Sequence, residues 1–146
     1  MATTEKTIPS VNEVVLFLRD ILVVKKQQYK TERAVETIVT NQLRETFGDV
    51  NVHRQYNVGG FLSLKCDIDL FDSKCCGIEL KLAKQLIGSY AKERLIGQAI
   101  YYSKRCYQEK LIILVIGSKK EYDTSLKEVQ LFLQDLGIHF IYKELA

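Results

Sequence analysis

The run Leu-Ile-Ile-Leu-Val-Ile-Gly at residues 111–117 leaves this chain few ways to fold. Seven consecutive residues without a polar side chain form a strand that must be covered on both faces, which calls for a layer on each side of a sheet. The flanking sequence supplies those layers. Ser10 to Glu13 is a Ser-x-x-Glu capping box that opens a helix expected to run to about Val24. A second helix is expected from about Lys30 to Phe47, with Val35, Ile38, Val39, Leu43 and Phe47 at helical spacing and Gly48 as its stop. The stretch Val-Asn-Val-His-Arg-Gln-Tyr-Asn-Val at 50–58 alternates as a strand and ends at Gly59-Gly60. A hairpin follows at residues 64–83, then a third helix from about Ser89 to Tyr107. After the 111–117 strand come a helix from Thr124 to Leu136, stopped by Gly137, and a last strand over 138–145. The order α-α-β-β-β-α-β-α-β predicts an α/β fold with a mixed sheet flanked by helices.

Composition narrows the class. With 146 residues, 47% of them hydrophobic and 27% charged, the chain is expected to be a single domain, 1–146, with a core that needs no crosslinks. The four cysteines offer no Cys-x-x-Cys pair: Cys75 and Cys76 are adjacent, while Cys66 and Cys106 stand alone. They are read as reduced, apolar core residues. The polar start and the lack of a long apolar run predict a cytoplasmic protein without signal peptide or membrane anchor. The most apolar helix contains Arg19 and Asp20 and falls short of the roughly 20 residues a span needs. The net charge of +3 is small but uneven. Between Glu79 and Lys110 seven Lys/Arg (81, 84, 92, 94, 104, 105, 110) face three Glu (79, 93, 109), a local +4 that leaves −1 for the rest.

The hairpin Cys-Asp-Ile-Asp-Leu-Phe-Asp-Ser-Lys-Cys-Cys-Gly-Ile-Glu-Leu-Lys-Leu-Ala, 66–83, carries the chemistry. Strand alternation puts Leu64, Cys66, Ile68 and Leu70 on one face and Lys65, Asp67, Asp69 and Phe71 on the other. In the second strand Cys76, Ile78, Leu80 and Leu82 share the apolar face, leaving Glu79 and Lys81 opposite. A three-residue turn at Asp72-Ser73-Lys74 pairs Phe71 with Cys75, sets Asp67 against Glu79, and leaves Asp69 opposite Gly77; a longer loop would bring Asp69 to Glu79 instead. Like charges directly opposite are destabilising, so either a divalent cation held by oxygen ligands sits between them or Lys65 and Lys81 neutralise an ordinary solvated face. His53 and His139 are read as packing or surface residues, since neither has a metal-ligand spacing.

Asp67, followed after eleven residues by Glu79-Leu80-Lys81, resembles the PD-(D/E)xK motif of the restriction-endonuclease-like nuclease superfamily. The expected order from residue 30 to 116 is similar to that family's αβββαβ core, with an extra helix before it and an αβ extension after it. Lys65-Cys66 replaces the proline that often precedes the aspartate. Gln98 and Tyr102 in Gly-Gln-Ala-Ile-Tyr-Tyr are similar to the QxxxY signature of RecB-like branches. The resemblance implies a Mg²⁺-dependent DNA nuclease in which Mn²⁺ can substitute, an endonuclease rather than an exonuclease. Asp67, Glu79 and a helix glutamate (Glu32, or Glu36) would hold the metal, Lys81 would activate water, and Gln98 would position it. Glu32 is preferred because it lies closer to the apolar side of its helix. Lys84, Arg94, Tyr101 and Arg105, the last three on one helical flank with Gln98, are expected to contact DNA phosphates. The other classes are a catalytically inactive nucleic-acid-binding module and an assembly protein, with a homodimer or a protein partner supplying specificity.

Overall fold

The computed structural model describes residues 7–59 and 64–146. Gly60, where the first strand was expected to end, and the chain's first six residues lie outside that range. Four helices surround a five-stranded mixed sheet: α1 Val11–Asp20, α2 Glu32–Phe47, β1 Val52–Asn57, β2 Lys65–Leu70, β3 Cys76–Leu82, α3 Ser89–Tyr102, β4 Leu111–Gly117, α4 Thr124–Asp135 and β5 His139–Glu144. The strands lie in the order β1-β2-β3-β4-β5. The first three pair antiparallel, and β3, β4 and β5 run parallel. The element order is the one the sequence predicts.

Each face of the sheet has its own core. On one side α1 and α2 pack Val14, Phe17, Leu18, Val35, Val39 and Leu43 onto Ile68, Leu70, Ile78, Leu80, Ile112, Leu114 and Ile116. On the other, α3 and α4 pack Leu95, Ala99, Tyr102, Leu126, Val129 and Leu133 onto Ile113, Val115 and Phe140. All seven residues of β4 are buried, as a strand between two helical layers must be. Ser10, Thr31 and Asp123 accept a backbone N–H to start α1, α2 and α4.

Three boundaries differ from expectation. The first helix stops at Asp20, because Leu22 and Val24 enter the core from an extended segment, while the Gln42 amide brackets Val23 with bonds of 3.0 and 2.7 Å. The third helix leaves α geometry at Tyr102 and continues as a π-turn over Ser103–Tyr107. That turn delivers Tyr107, fully buried, across β3. The hairpin turn spans Phe71 to Cys75 rather than 72–74, with Phe71, Asp72 and Ser73 all in the left-handed region. The register is nevertheless the expected one: Ile68 faces Ile78, Asp69 faces Gly77 and Leu70 faces Cys76.

Among the described residues no helix is long and apolar enough to cross a membrane. Cys66, Cys75 and Cys76 are free and buried; Cys106 is free but only half-buried, so it departs from the expected core role.

Candidate active site

The site forms where β2 parts from β3. Their ladder holds for three pairs and stops at Ile68–Ile78. The next pair in that register is Asp67 and Glu79, two carboxylates that repel at ladder distance. There the Leu80 N–H donates to Asp67 Oδ2 at 2.8 Å. The even alternation read from the sequence also fails at this point. Cys66 belongs to the core under α3 and α4, whereas Ile68 and Leu70 belong to the core under α1 and α2. Across the other edge of β2, Gln55 adopts a left-handed backbone (φ 53°), and it is the one residue of β1 between Val52 and Asn57 absent from the β1–β2 pairing. Left-handed backbone is unfavourable for a non-glycine residue and gathers at functional sites.

Gln55 uses this kink to join two acids. Its Nε2 donates to Glu36 Oε1 at 3.0 Å and to Asp67 Oδ1 at 3.4 Å, while Arg54 holds Glu36 Oε2 at 3.2 Å. Glu36 is therefore the more deeply buried of the two helix acids, reversing the order expected from helical direction, but both of its oxygens are committed. Glu32, half-buried in the first turn of α2, has a freer role. Burial, together with the charges of Asp67 and Glu36, raises its pKa, and Lys81 works against that rise.

Glu79 is the most constrained group. It is 3% exposed, and Asp67 is 9% exposed. Burial first, then the Asp67 charge, hold the Glu79 carboxyl well above the ordinary carboxylate range, with Lys81 opposing. Lys81 Nζ stands 3.7 Å from Glu79 Oε1. Among the described residues Glu79 Oε2 is buried without a hydrogen-bond partner, and so is Gln98 Oε1 from α3. A buried polar atom left unpaired costs about 1–3 kcal/mol, so two together at one site call for an occupant. The donor set, carboxylate and amide oxygens, suits a hard divalent cation such as Mg²⁺ or Mn²⁺.

Two cavities share Glu32, one reaching Asp67 and the other reaching Lys81. One, about 460 Å³, is lined by Arg33, Glu36, Arg54, Gln55 and Asp67. The other, about 300 Å³, is lined by Lys81, Gln85, Tyr90, Arg94 and Gln98. The structure thus brings Asp67, Glu79, Lys81, Glu32 and Gln98 together, with Arg94 at the rim.

It does not gather the remaining expected contacts. Lys84 gives its ammonium to the carbonyls of Tyr29 and Lys30, at 3.2 and 2.6 Å, and lies over the Tyr29 ring; it tethers the start of α2 instead of facing a ligand. Arg105 falls within the π-turn, beside Gly59, so the helical stripe joining it to Arg94 is broken. Tyr101 packs edge-on against Tyr102, whose hydroxyl donates to the Lys65 carbonyl at 3.2 Å.

Asp69 proves to be neither surface nor part of this acid pair. Fully buried, it accepts the Ser73 N–H and the Tyr107 hydroxyl, each at 2.9 Å. His53 faces Asp69 across the β1–β2 ladder and pairs with Asp72 at 3.3 Å. Ligand atoms of His53, Asp69 and Asp72 lie within 4.8 Å of one another and could hold a metal, contrary to the reading of His53 as spaced away from any ligand. Linear spacing hides this cluster, because His53 is brought to it by strand pairing. His139, by contrast, contacts only the Glu109 carbonyl. Gln55, Gln85 and Tyr90 left no mark in the sequence that strand or helix periodicity could pick out.

The protein is thus an α/β domain with a buried acid pair, a lysine and an orphaned amide where an antiparallel hairpin splays. Comparison with protein families, curated proteins and solved structures finds no match to this chain.

Proposed function

We propose that this chain is a Mg²⁺-dependent nuclease of the PD-(D/E)xK superfamily that hydrolyses DNA phosphodiester bonds. The observation that carries the reading is the buried, unpartnered Glu79 Oε2 beside Asp67, with Lys81 3.7 Å from the other Glu79 oxygen. The αβββαβ order of α2, β1, β2, β3, α3 and β4 agrees with the restriction-endonuclease-like core that the motif resembles.

Asp67 and Glu79 would hold the cation, with Glu32 completing the oxygen set from α2. A bound Mg²⁺ would supply Lewis acidity, lowering the pKa of water and neutralising charge on the phosphate. The protein's own groups do the rest. Lys81 is placed to stabilise negative charge that develops on the phosphate, in a recess where such stabilisation is strong. Gln98 orients the attacking water through its free carbonyl oxygen. Leu80 N–H and Gln55 fix the Asp67 carboxylate, so that it need not reorganise on binding.

The test is a panel of single-stranded, duplex, flap and four-way-junction DNA incubated with Mg²⁺ or Mn²⁺. Cleavage of at least one substrate, strictly dependent on the cation, is expected; inertness toward all of them with both metals sinks the proposal. Within an active panel, Lys81→Ala should cut turnover by roughly 100- to 1,000-fold while weakening DNA binding only modestly. Arg94→Ala should do the opposite, weakening binding and reducing the salt slope by roughly 0.7 on single strands or 0.9 on duplex. A Lys81→Ala enzyme that turns over normally but binds poorly would reverse these two roles.

A further inference from the structure

We infer that the site accepts an unpaired DNA strand and that Tyr90 stacks against a base next to the scissile phosphate. The inference takes from the nuclease reading only the location of that phosphate.

Recess comes first. Asp67 and Glu79 are 9% and 3% exposed, and the Lys81 side chain is 21% exposed. The cavity through which a phosphate would reach Lys81 lies between the first turn of α2, which carries Glu32, and α3, which carries Gln98. In a duplex each phosphate is flanked by stacked, paired nucleotides that cannot follow it into a narrow cleft. A single strand can turn its backbone inward and splay its bases outward.

The second element is what lies along that descent. Tyr90, in the first turn of α3, is 75% exposed, although it borders the same 300 Å³ cavity as Lys81 and Gln98. Among the described residues none of the ring-ring contacts involves it, unlike Tyr101, Tyr102, Tyr122 and Tyr142, which stack or meet edge-on with one another. Behind it the cavity has an apolar wall from Leu86 and Leu95, while Arg94 stands one turn along α3. An exposed aromatic face, an apolar wall and an arginine beside a phosphate site form a stacking platform for a base whose partner strand is absent. Among the described residues the cavity that reaches Asp67 is lined by arginines and carboxylates and by no aromatic ring, so the base is held on the Tyr90 side.

The test uses the full chain in EDTA, where binding proceeds without metal-dependent cleavage. Fluorescence anisotropy compares a labelled single-stranded oligonucleotide of about a dozen nucleotides with the corresponding blunt duplex. The single strand should bind more tightly. Tyr90→Ala should weaken it roughly 5- to 100-fold, the loss expected for one stacked base, while Tyr90→Phe stays within about twofold. A 2-aminopurine in the strand should be quenched by wild type and by Tyr90→Phe but not by Tyr90→Ala. Because the side chain is exposed, a thermal melt of Tyr90→Ala should match wild type. Duplex binding as tight as single-strand binding, or single-strand binding indifferent to Tyr90→Ala, overturns the inference. Parallel reactions with Mg²⁺ separate it from its premise. Cleavage of duplex at equal rates by wild type and Tyr90→Ala overturns the inference and leaves the nuclease reading intact. Tyr90-dependent single-strand binding without cleavage of any DNA removes the nuclease reading and supports the inference as a binding property. Failure to bind either form removes both.

Discussion

Glu79→Gln and Asp67→Asn will each lower Mg²⁺-dependent cleavage by roughly 100- to 1,000-fold or more, and neither will unfold the protein. The loss follows because each substitution removes a charged oxygen from the pair that would hold the cation. The intact fold follows because the metal-free pair is a liability. Glu79 is buried against a second carboxylate, and its pKa is raised well above normal, chiefly by that burial. The sign of the pH dependence is then fixed. A carboxyl with a raised folded-state pKa binds more protons in the folded than in the unfolded state over the interval between the two pKa values. Stability from this group is therefore lost as pH rises through that interval, at up to about 1.4 kcal/mol per pH unit. Glu79→Gln, which stays neutral, should erase that slope and melt higher than wild type at neutral pH without metal. Asp67, Glu32 and Lys81 face the same group, so the wild-type minus Glu79→Gln difference reads Glu79 together with its coupling to them. Thermal melts in EDTA across pH 5–8 read this directly. A Glu79→Gln variant that fails to fold would make Glu79 a structural residue and remove the site.

The second large effect needs no catalysis to be seen. Gly77→Ala should destabilise the protein by about 3–5 kcal/mol. Tyr107 crosses β3 at Gly77, where a Cβ would overlap its ring, and its hydroxyl ends on buried Asp69. Forcing an extra methyl into a packed interior costs about 1–3 kcal/mol, and displacing the ring also breaks a hydrogen bond to a carboxylate worth about 1.5–3. In a domain of this size the midpoint should fall by roughly 10 °C. Tyr107→Leu in the same chain should make Gly77→Ala much less harmful, because the overlapping ring is gone. Chemical denaturation of the two single variants and the double checks this. Full additivity would mean that Gly77 is not there to admit Tyr107.

That crossing also shows where the sequence was legible and where it was not. The apolar run of β4, the capping box of α1 and the turn glycines carry their own local physics, so the element order follows from them. The hairpin register was legible too, because the shortest turn that keeps Ile68, Ile78, Leu70 and Cys76 on a common face sets Asp69 opposite Gly77. The break at Asp67 was not. It depends on a left-handed Gln55 in the neighbouring strand and on a backbone N–H turning to a side chain, and neither leaves a period in the sequence. The fate of Asp69 was hidden for the same reason, since its partner Tyr107 is 38 residues away and arrives through a π-turn. Lys84 and Arg105 counted as basic charges in the sequence. Only tertiary contacts reveal that one is tied to carbonyls and the other displaced from the Arg94 stripe.

The central claim is that Asp67 and Glu79 together bind a divalent cation. Calorimetric titration of Mn²⁺ into the metal-free protein at pH 7, repeated in buffers of different ionisation enthalpy, tests it most directly. Because burial and the Asp67 charge favour the protonated form of Glu79, one site should titrate with net proton release to the buffer. Both that site and its proton release should vanish in Glu79→Gln, while the His53–Asp69–Asp72 cluster stays intact as an internal control. A Glu79→Gln protein that binds Mn²⁺ with unchanged affinity and stoichiometry would contradict the account.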